Sequence, residues 1–158
     1  GNDANTNNPE SVLVKPVYPQ RVFRINETKV IFITKGTSYL KIAEENNIPL
    51  SKLFEFNDMD AAVDIAPVDQ LIFLQRKRKK GANEFHIVIN GETLYYIAQS
   101  EGIRMESLLE YNFLKKGMQP RSGEKLYLFE KAPSMPRLYS YSVNNTSFNS
   151  LAVKGNTK

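Results

Sequence analysis

The 158-residue sequence contains no cysteine, a single histidine at position 86, and no apolar run near the roughly 20 residues that a membrane helix needs. The missing cysteine excludes disulfides, thiolate metal sites and a cysteine nucleophile together. One imidazole cannot build a multi-histidine metal centre or supply a second acid-base partner, and no cofactor is expected. The first twenty residues lack the apolar segment of a signal peptide, and the chain starts at Gly1, which reads as a processed or recombinant start, so this leaves the compartment open. With 41% hydrophobic and 24% charged residues the composition is that of a globular protein, and the length suits one ordinary domain or two or three very small ones.

Charge is also scarcer than the total suggests. The net value of +4 comes from 21 basic and 17 acidic residues, but five of the basic ones sit consecutively from Arg76 to Lys80. Without that run the balance is 16 minus 17, or −1. A single basic patch is weak support for nucleic-acid binding, and the eight tyrosines do not interleave with it as a stacking platform would require. The run reads as a short solvated linker, with contact to an anionic polymer as its functional alternative.

What is present is an internal repeat. Residues 31–74 lie over 86–129 at a constant offset of 55 without a gap, and eight of the 44 positions are identical, among them Gly36/Gly91, Ile42/Ile97, Ala43/Ala98, Leu53/Leu108, Asn57/Asn112 and Leu71/Leu126. Chance would give about three. In the second copy Phe85 to Ile89 reads as a strand stopped by the Asn90-Gly91 turn signal. Thr93 then caps a helix with Leu94, Ile97 and Ala98 on one face, and Gly102 suits the left-handed position that ends it. Met105, Leu108 and Leu109 repeat the spacing in a second helix ending near Asn112, and Lys125 to Phe129 closes the unit as a strand. The first copy gives the same order from Ile31, Ser38, Pro49 and Leu71. Ahead of it, Val22 to Ile25 alternates and predicts a hairpin that adds a strand.

The expected fold is therefore α+β: two tandem small βααβ domains with an extra N-terminal strand and flexible termini. Residues 1–20 read as a disordered or linker segment, 21–29 as the extra strand and turn, 30–75 as repeat 1, 76–83 as the basic linker, 84–131 as repeat 2, and 132–158 as a flexible tail. In that tail Tyr141, Val143, Phe148, Leu151 and Ala152 echo the repeat spacing, which fits either a truncated third repeat start or accident.

The run from His86 to Ala98, with Gly102-Ile103, Leu108-Leu109, Asn112 and Gly123-Glu124-Lys125-Leu126, resembles a LysM domain. The first copy resembles it less closely, keeping Ile33, Gly36, Ile42, Ala43, Leu53, Asn57 and Leu71 but carrying Thr37-Ser38 and Val68-Asp69 where the family has an acidic residue with threonine, and glycine. The pairing is also similar to the LysM regions behind a glucosaminidase domain in cell-wall hydrolases of Bacteroidetes-type bacteria. The resemblance implies a non-catalytic module that binds N-acetylglucosamine-containing glycans, most of all peptidoglycan, in the periplasm or cell envelope. The expected partner is that glycan, bound by a monomer with no membrane span and no nucleic acid.

Carried over from the family, the glycan groove lies between the loop after the first strand and the loop before the last. This places Gly91, Glu92, Thr93, Leu94 and Tyr95 on one wall and Met118, Gln119 and Pro120 on the other, with Gly36, Thr37, Ser38, Tyr39, Ile65 and Ala66 as the counterparts in repeat 1. An acetamido sugar asks for backbone donors and acceptors beside a small apolar patch, and no general acid. A glycosidase instead needs two carboxylates flanking the bond; Glu92 and Glu124 are the nominees, but Thr37 and Asp69 stand at their repeat 1 counterparts. The alternative to glycan binding is a protein-interaction or anionic-polymer module built on the basic linker. Asn57 and Asn112 are expected to hydrogen-bond backbone at helix ends, and His86 to pack.

Overall fold

In the computed structural model, which describes residues 15–60 and 63–139, the strand, helix, helix, strand order occurs twice. The first unit contains β1 (Phe23–Ile25), β2 (Thr28–Ile33), α1 (Tyr39–Glu45), α2 (Leu50–Phe56) and β3 (Gln70–Phe73). The second contains β4 (Phe85–Ile87), α3 (Leu94–Glu101), α4 (Met105–Tyr111) and β5 (Lys125–Tyr127). All strand pairs are antiparallel, forming a three-stranded sheet in the order β1-β2-β3 and a two-stranded sheet of β4 and β5. No helix among the described residues is long and apolar enough to cross a membrane. The suspected third repeat start, at residues 141–152, lies outside the described residues, as do residues 1–14.

The first helix of each unit starts where a short polar side chain satisfies a free amide of its first turn. Ser38 Oγ accepts from Lys41 N in α1, and Thr93 Oγ1 accepts from Tyr96 N in α3. Gly102 ends α3 with φ 67° and ψ 35°, the left-handed geometry that glycine adopts without a Cβ penalty. Each pair of helices covers one face of its sheet, with Ile33, Ile42, Ala43, Leu53 and Ile72 in one core and Val88, Ile97, Ala98, Leu108 and Leu126 in the other. The other face of the first sheet, built from Val30, Leu71 and Phe73, is covered by Tyr18, Phe23 and Ile25 from the added strand and the segment before it.

Asn57 and Asn112 join the last turn of each unit's second helix to its last strand. Asn57 Nδ2 donates to Leu53 O and Phe73 O, and its Oδ1 accepts from Phe73 N; Asn112 makes the same three bonds to Leu108 O, Tyr127 O and Tyr127 N. These bonds correct the ungapped repeat. Phe73 corresponds to Tyr127, an offset of 54, and the ladder agrees, since Ile31 pairs with Ile72 as His86 pairs with Leu126. One residue is therefore gained in the first unit between Met59 and Gln70. Leu71 then faces the outer sheet surface, whereas Leu126 lies in the core, because a one-residue slip in a strand reverses the faces.

Two expectations about the connecting segments also change. The run 76–80 is not a uniformly solvated linker: Lys77 is 1% exposed, and its ammonium donates to Gln99 Oε1 at 2.6 Å and pairs with Asp58 Oδ2 at 2.7 Å. Gln99 Nε2 completes the cluster by donating to Asn57 Oδ1 and Leu71 O, so the two units meet through a buried polar seam. Asn26 Nδ2 reaches across the same boundary to Lys80 O and Gly102 O. The tail is not free at its start either. Arg121 N donates to Arg137 O and Tyr139 N to Gln119 O, while Leu138 packs on the second core, because the 119–121 edge would otherwise leave backbone groups unpaired.

Candidate functional site

The second unit builds a groove from the two loops that flank its helices. After β4 the chain turns at Asn90-Gly91, where Gly91 has φ 95°, and enters α3 through the Thr93 cap. Leu94 belongs to the core and also floors the groove, so its two expected roles coincide. On the opposite side a tight turn sets Met118, whose N donates to Lys115 O and whose Sδ accepts from Lys115 N. Gln119 Nε2 spans the gap to Glu92 O at 2.9 Å. The resulting groove of about 380 Å³ is lined by Thr93, Leu94, Tyr95, Met105, Met118 and Gln119, together with a polar end shared with the first unit.

Three of the expected wall residues take other positions. Gly91 shapes the turn without lining the groove. Glu92 is 4% exposed; its carboxylate turns back to accept from Ile89 N at 2.9 Å and to face His86 Nε2 at 2.8 Å, so only its carbonyl meets the other wall. Pro120 is buried and pairs with Leu138. Met105 and Lys116 line the groove without having been singled out, because nothing in their spacing distinguishes a groove residue from a helix or turn residue.

Tyr95 presents a 37% exposed residue to the groove while its hydroxyl donates to Asn57 O at 3.0 Å. Burial of that oxygen, reinforced by the charge of Asp58 and by Tyr39, pushes the phenol far above its ordinary range, so it serves as a fixed neutral donor. His86 lies behind the Glu92 loop, with Nδ1 2.5 Å from Glu101 and Nε2 2.8 Å from Glu92. Burial alone would lower its pKa, but hydrogen bonds to Glu101 and Glu92 outweigh this and raise it, and when protonated the ring has a carboxylate oxygen opposite each nitrogen. Glu101 shifts the other way: the His86 and Asn83 bonds outweigh a desolvation that would raise it, and it stays ionised to lower pH. The expected packing role of His86 is thus ionic, a bracket for the groove's first loop.

In the first unit the corresponding loops close on each other. Gly36 N donates to Ala66 O at 2.8 Å, Ala66 N to Thr37 O at 2.9 Å and Tyr39 N to Asp64 O at 3.1 Å, while Ser38 pairs with Ile65. Tyr39 is 1% exposed, bonded to Gln70 and set edge-on to Phe54, and Ala66 is buried as well. The amides and carbonyls that a sugar would use are already engaged with one another. At the offset of 54, Ala66 matches Pro120, which has no N–H to give to Glu92 O, the counterpart of Thr37 O. Gln119 supplies its side chain there instead, and the second pair of loops stays apart.

Comparison with known proteins places the second unit. The sequence model of the LysM domain family matches residues 86–129; members of that family are small binding folds that generally take N-acetylglucosamine-containing glycans such as peptidoglycan. Among solved structures the chain is similar to the spore cortex-lytic enzyme SleL of Bacillus cereus, at 20% identity and a TM-score of 0.29 over 65% of this chain. It is also similar to SleL of Bacillus megaterium QM B1551, at 15% identity and 0.28 over 66%. The chain spans 23% of the length of each of those enzymes, and likeness at these levels decides nothing about its own activity. No curated protein matches the chain.

Proposed function

We propose that residues 86–129 bind an N-acetylglucosamine-containing glycan, most of all peptidoglycan, in the groove between 93–95 and 118–119, without catalysis. The observation that carries this is an open groove, in the segment that matches the family, with an apolar floor of Leu94 and Met118 and polar edges at Thr93 and Gln119, whose walls are joined by the side-chain bond from Gln119 Nε2 to Glu92 O rather than by the backbone bonds that close the first unit's loops. An acetamido methyl fits that floor, and its amide and the ring hydroxyls fit the edges. Residues 30–75 form a second, divergent LysM-like copy whose closed loops carry little or no glycan affinity. The chain's role is to hold a cell-wall hydrolase or envelope protein at the wall, in the periplasm or at the cell surface.

The glycosidase alternative loses both of its carboxylates. Glu92 is engaged by His86 and Ile89, and Glu124 by Arg137, whose backbone N–H and guanidinium hold its carboxyl below the usual range, opposite to the raised pKa of a general acid. The anionic-polymer alternative is weakened because Arg76, Lys77 and Arg78 pair with Glu55, Asp58 and Glu27 of the same chain. Retention of the purified chain on insoluble peptidoglycan, competed by soluble N-acetylglucosamine oligomers, tests the proposal. Retention should change little between about 50 and 200 mM salt, the range over which a polyanion contact loses affinity steeply. Failure of the oligomers to compete, or loss of retention across that salt range, overturns the glycan assignment.

A further inference from the structure

The groove does not end within the LysM domain. Its outer end is formed by Asp58 and Asp60, which follow α2 of the first unit, and by Lys116, which faces them from the second. Asp58 is fixed there by the seam between the units: its Oδ2 pairs with Lys77 at 2.7 Å and accepts from Met105 N at 3.1 Å. Among the described residues only that oxygen is engaged, which leaves Oδ1 as an acceptor. Asp60 and Lys116 bridge the boundary through an ion pair at 2.5 Å with side chains 76% and 63% exposed. A pair that exposed is worth about 0 to 1 kcal/mol, so it can exchange its mutual contact for a ligand at little cost.

We propose that this end is a second sugar subsite, in which Asp58, Asp60 and Lys116 hydrogen-bond the hydroxyls of the unit adjoining the one seated on Leu94 and Met118. The proposal rests on the glycan reading above. Charge sets the chemistry of the occupant. Two carboxylates stand against Lys77 and Lys116, so the site is balanced and favours an uncharged ring bearing free hydroxyls over an anion or a cation. Carboxylate and ammonium groups bond hydroxyls more strongly than neutral partners do, and a groove of about 380 Å³ lies within the ordinary range for a bound small ligand. The first unit, whose own loops are closed, thus supplies part of the site belonging to the second.

The test compares N-acetylglucosamine with its trimer on the full chain and on Asp60→Ala and Lys116→Ala, using calorimetry for the trimer and amide shifts for the monomer. Each substitution should weaken trimer binding about tenfold, the effect of one charge-assisted hydrogen bond, while leaving monomer binding within about twofold. Trimer affinity unchanged in both variants, with the parent chain binding the trimer, overturns the subsite and leaves the LysM groove standing. Loss of monomer and trimer binding in equal measure also overturns it, since the residues would then act on the whole groove. A parent chain that binds neither sugar removes the glycan reading itself. Because both side chains are exposed, unchanged thermal unfolding of the variants separates these outcomes from misfolding.

Discussion

Replacing Lys77 tests whether the two units form one cooperative body. Lys77→Ala leaves the Asp58 carboxylate without its partner and Gln99 Oε1 without its donor in a buried seam. Removing one member of a buried pair costs about 3 to 5 kcal/mol, and Asp58 keeps 27% of its side chain exposed, so water recovers part of that. An unsatisfied buried amide oxygen adds about 1 to 3 kcal/mol. We expect a net loss near 3 kcal/mol, a large share of the roughly 5 to 15 kcal/mol that holds a domain of ordinary size. Lys77→Met keeps an apolar stem of similar length in the seam and loses the ammonium, which lies 5.7 Å from the Phe73 ring centre, so it should be milder. Asp58→Asn with Lys77→Met should cost less than the sum of the two single changes, by about 1 to 3 kcal/mol. Urea unfolding at neutral pH measures the parent and the four variants, and a split transition in Lys77→Ala would show the units uncoupling. A loss under about 0.5 kcal/mol for Lys77→Ala, or additivity in the cycle, refutes the seam as a source of stability.

Asn112→Ala should cost about 3 kcal/mol in thermal or urea unfolding, since one side chain makes three bonds between α4 and β5 and leaves Tyr127 N and O unpaired. Gly102→Ala should destabilise by about 2 kcal/mol or more, because φ is 67° and the added Cβ would stand 2.8 Å from Asn26 Cβ and 3.1 Å from Ile25 O; a stability equal to the parent would contradict that close approach. His86 has a folded-state pKa above its free value of 6.5, so its contribution is complete below pH 6.5 and fades as pH rises through the folded value. Glu101 has the opposite sign, contributing above 4.5 and losing this as pH falls through its lower folded value, so the cluster should stabilise best between those limits. His86→Gln should flatten the alkaline side of a stability profile measured from pH 5 to 9, and an unchanged profile would contradict the ionic bracket. Gly91→Val, strained at φ 95°, should abolish retention on peptidoglycan while circular dichroism stays that of the parent.

The helices were legible because their signals are local: Ser38 and Thr93 as caps, Gly102 as a stop, and apolar faces at helical spacing. The strands were legible in kind but not in register. Leu71 and Leu126 are both apolar, and only the Asn57 and Asn112 bonds to the strand backbone show that they occupy opposite faces. The loops facing the groove were placed from resemblance, which supplies a path for the backbone but not the direction of each side chain. Glu92 turned inward because His86 and Ile89 N offered it partners, and no spacing rule encodes that. The closure of the first pair of loops had one readable cause, proline at 120 against alanine at 66, visible only once the offset is 54. The seam was hidden for a further reason: a lysine in a run of five basic residues looks solvated, and only the fold brings Asp58 and Gln99 to Lys77.

On the proposed function, the groove of the second unit binds the glycan and the closed loops of the first do not. Backbone amide shifts of the full chain, titrated with a soluble N-acetylglucosamine oligomer, test it most directly. The largest changes should fall at Gly91, Glu92, Thr93, Leu94, Tyr95, Met118 and Gln119, with Gly36, Thr37, Ser38, Tyr39, Ile65 and Ala66 almost unmoved because their backbone groups are bonded to one another. Shifts of equal size in both units, or shifts confined to residues 76–80, would contradict it.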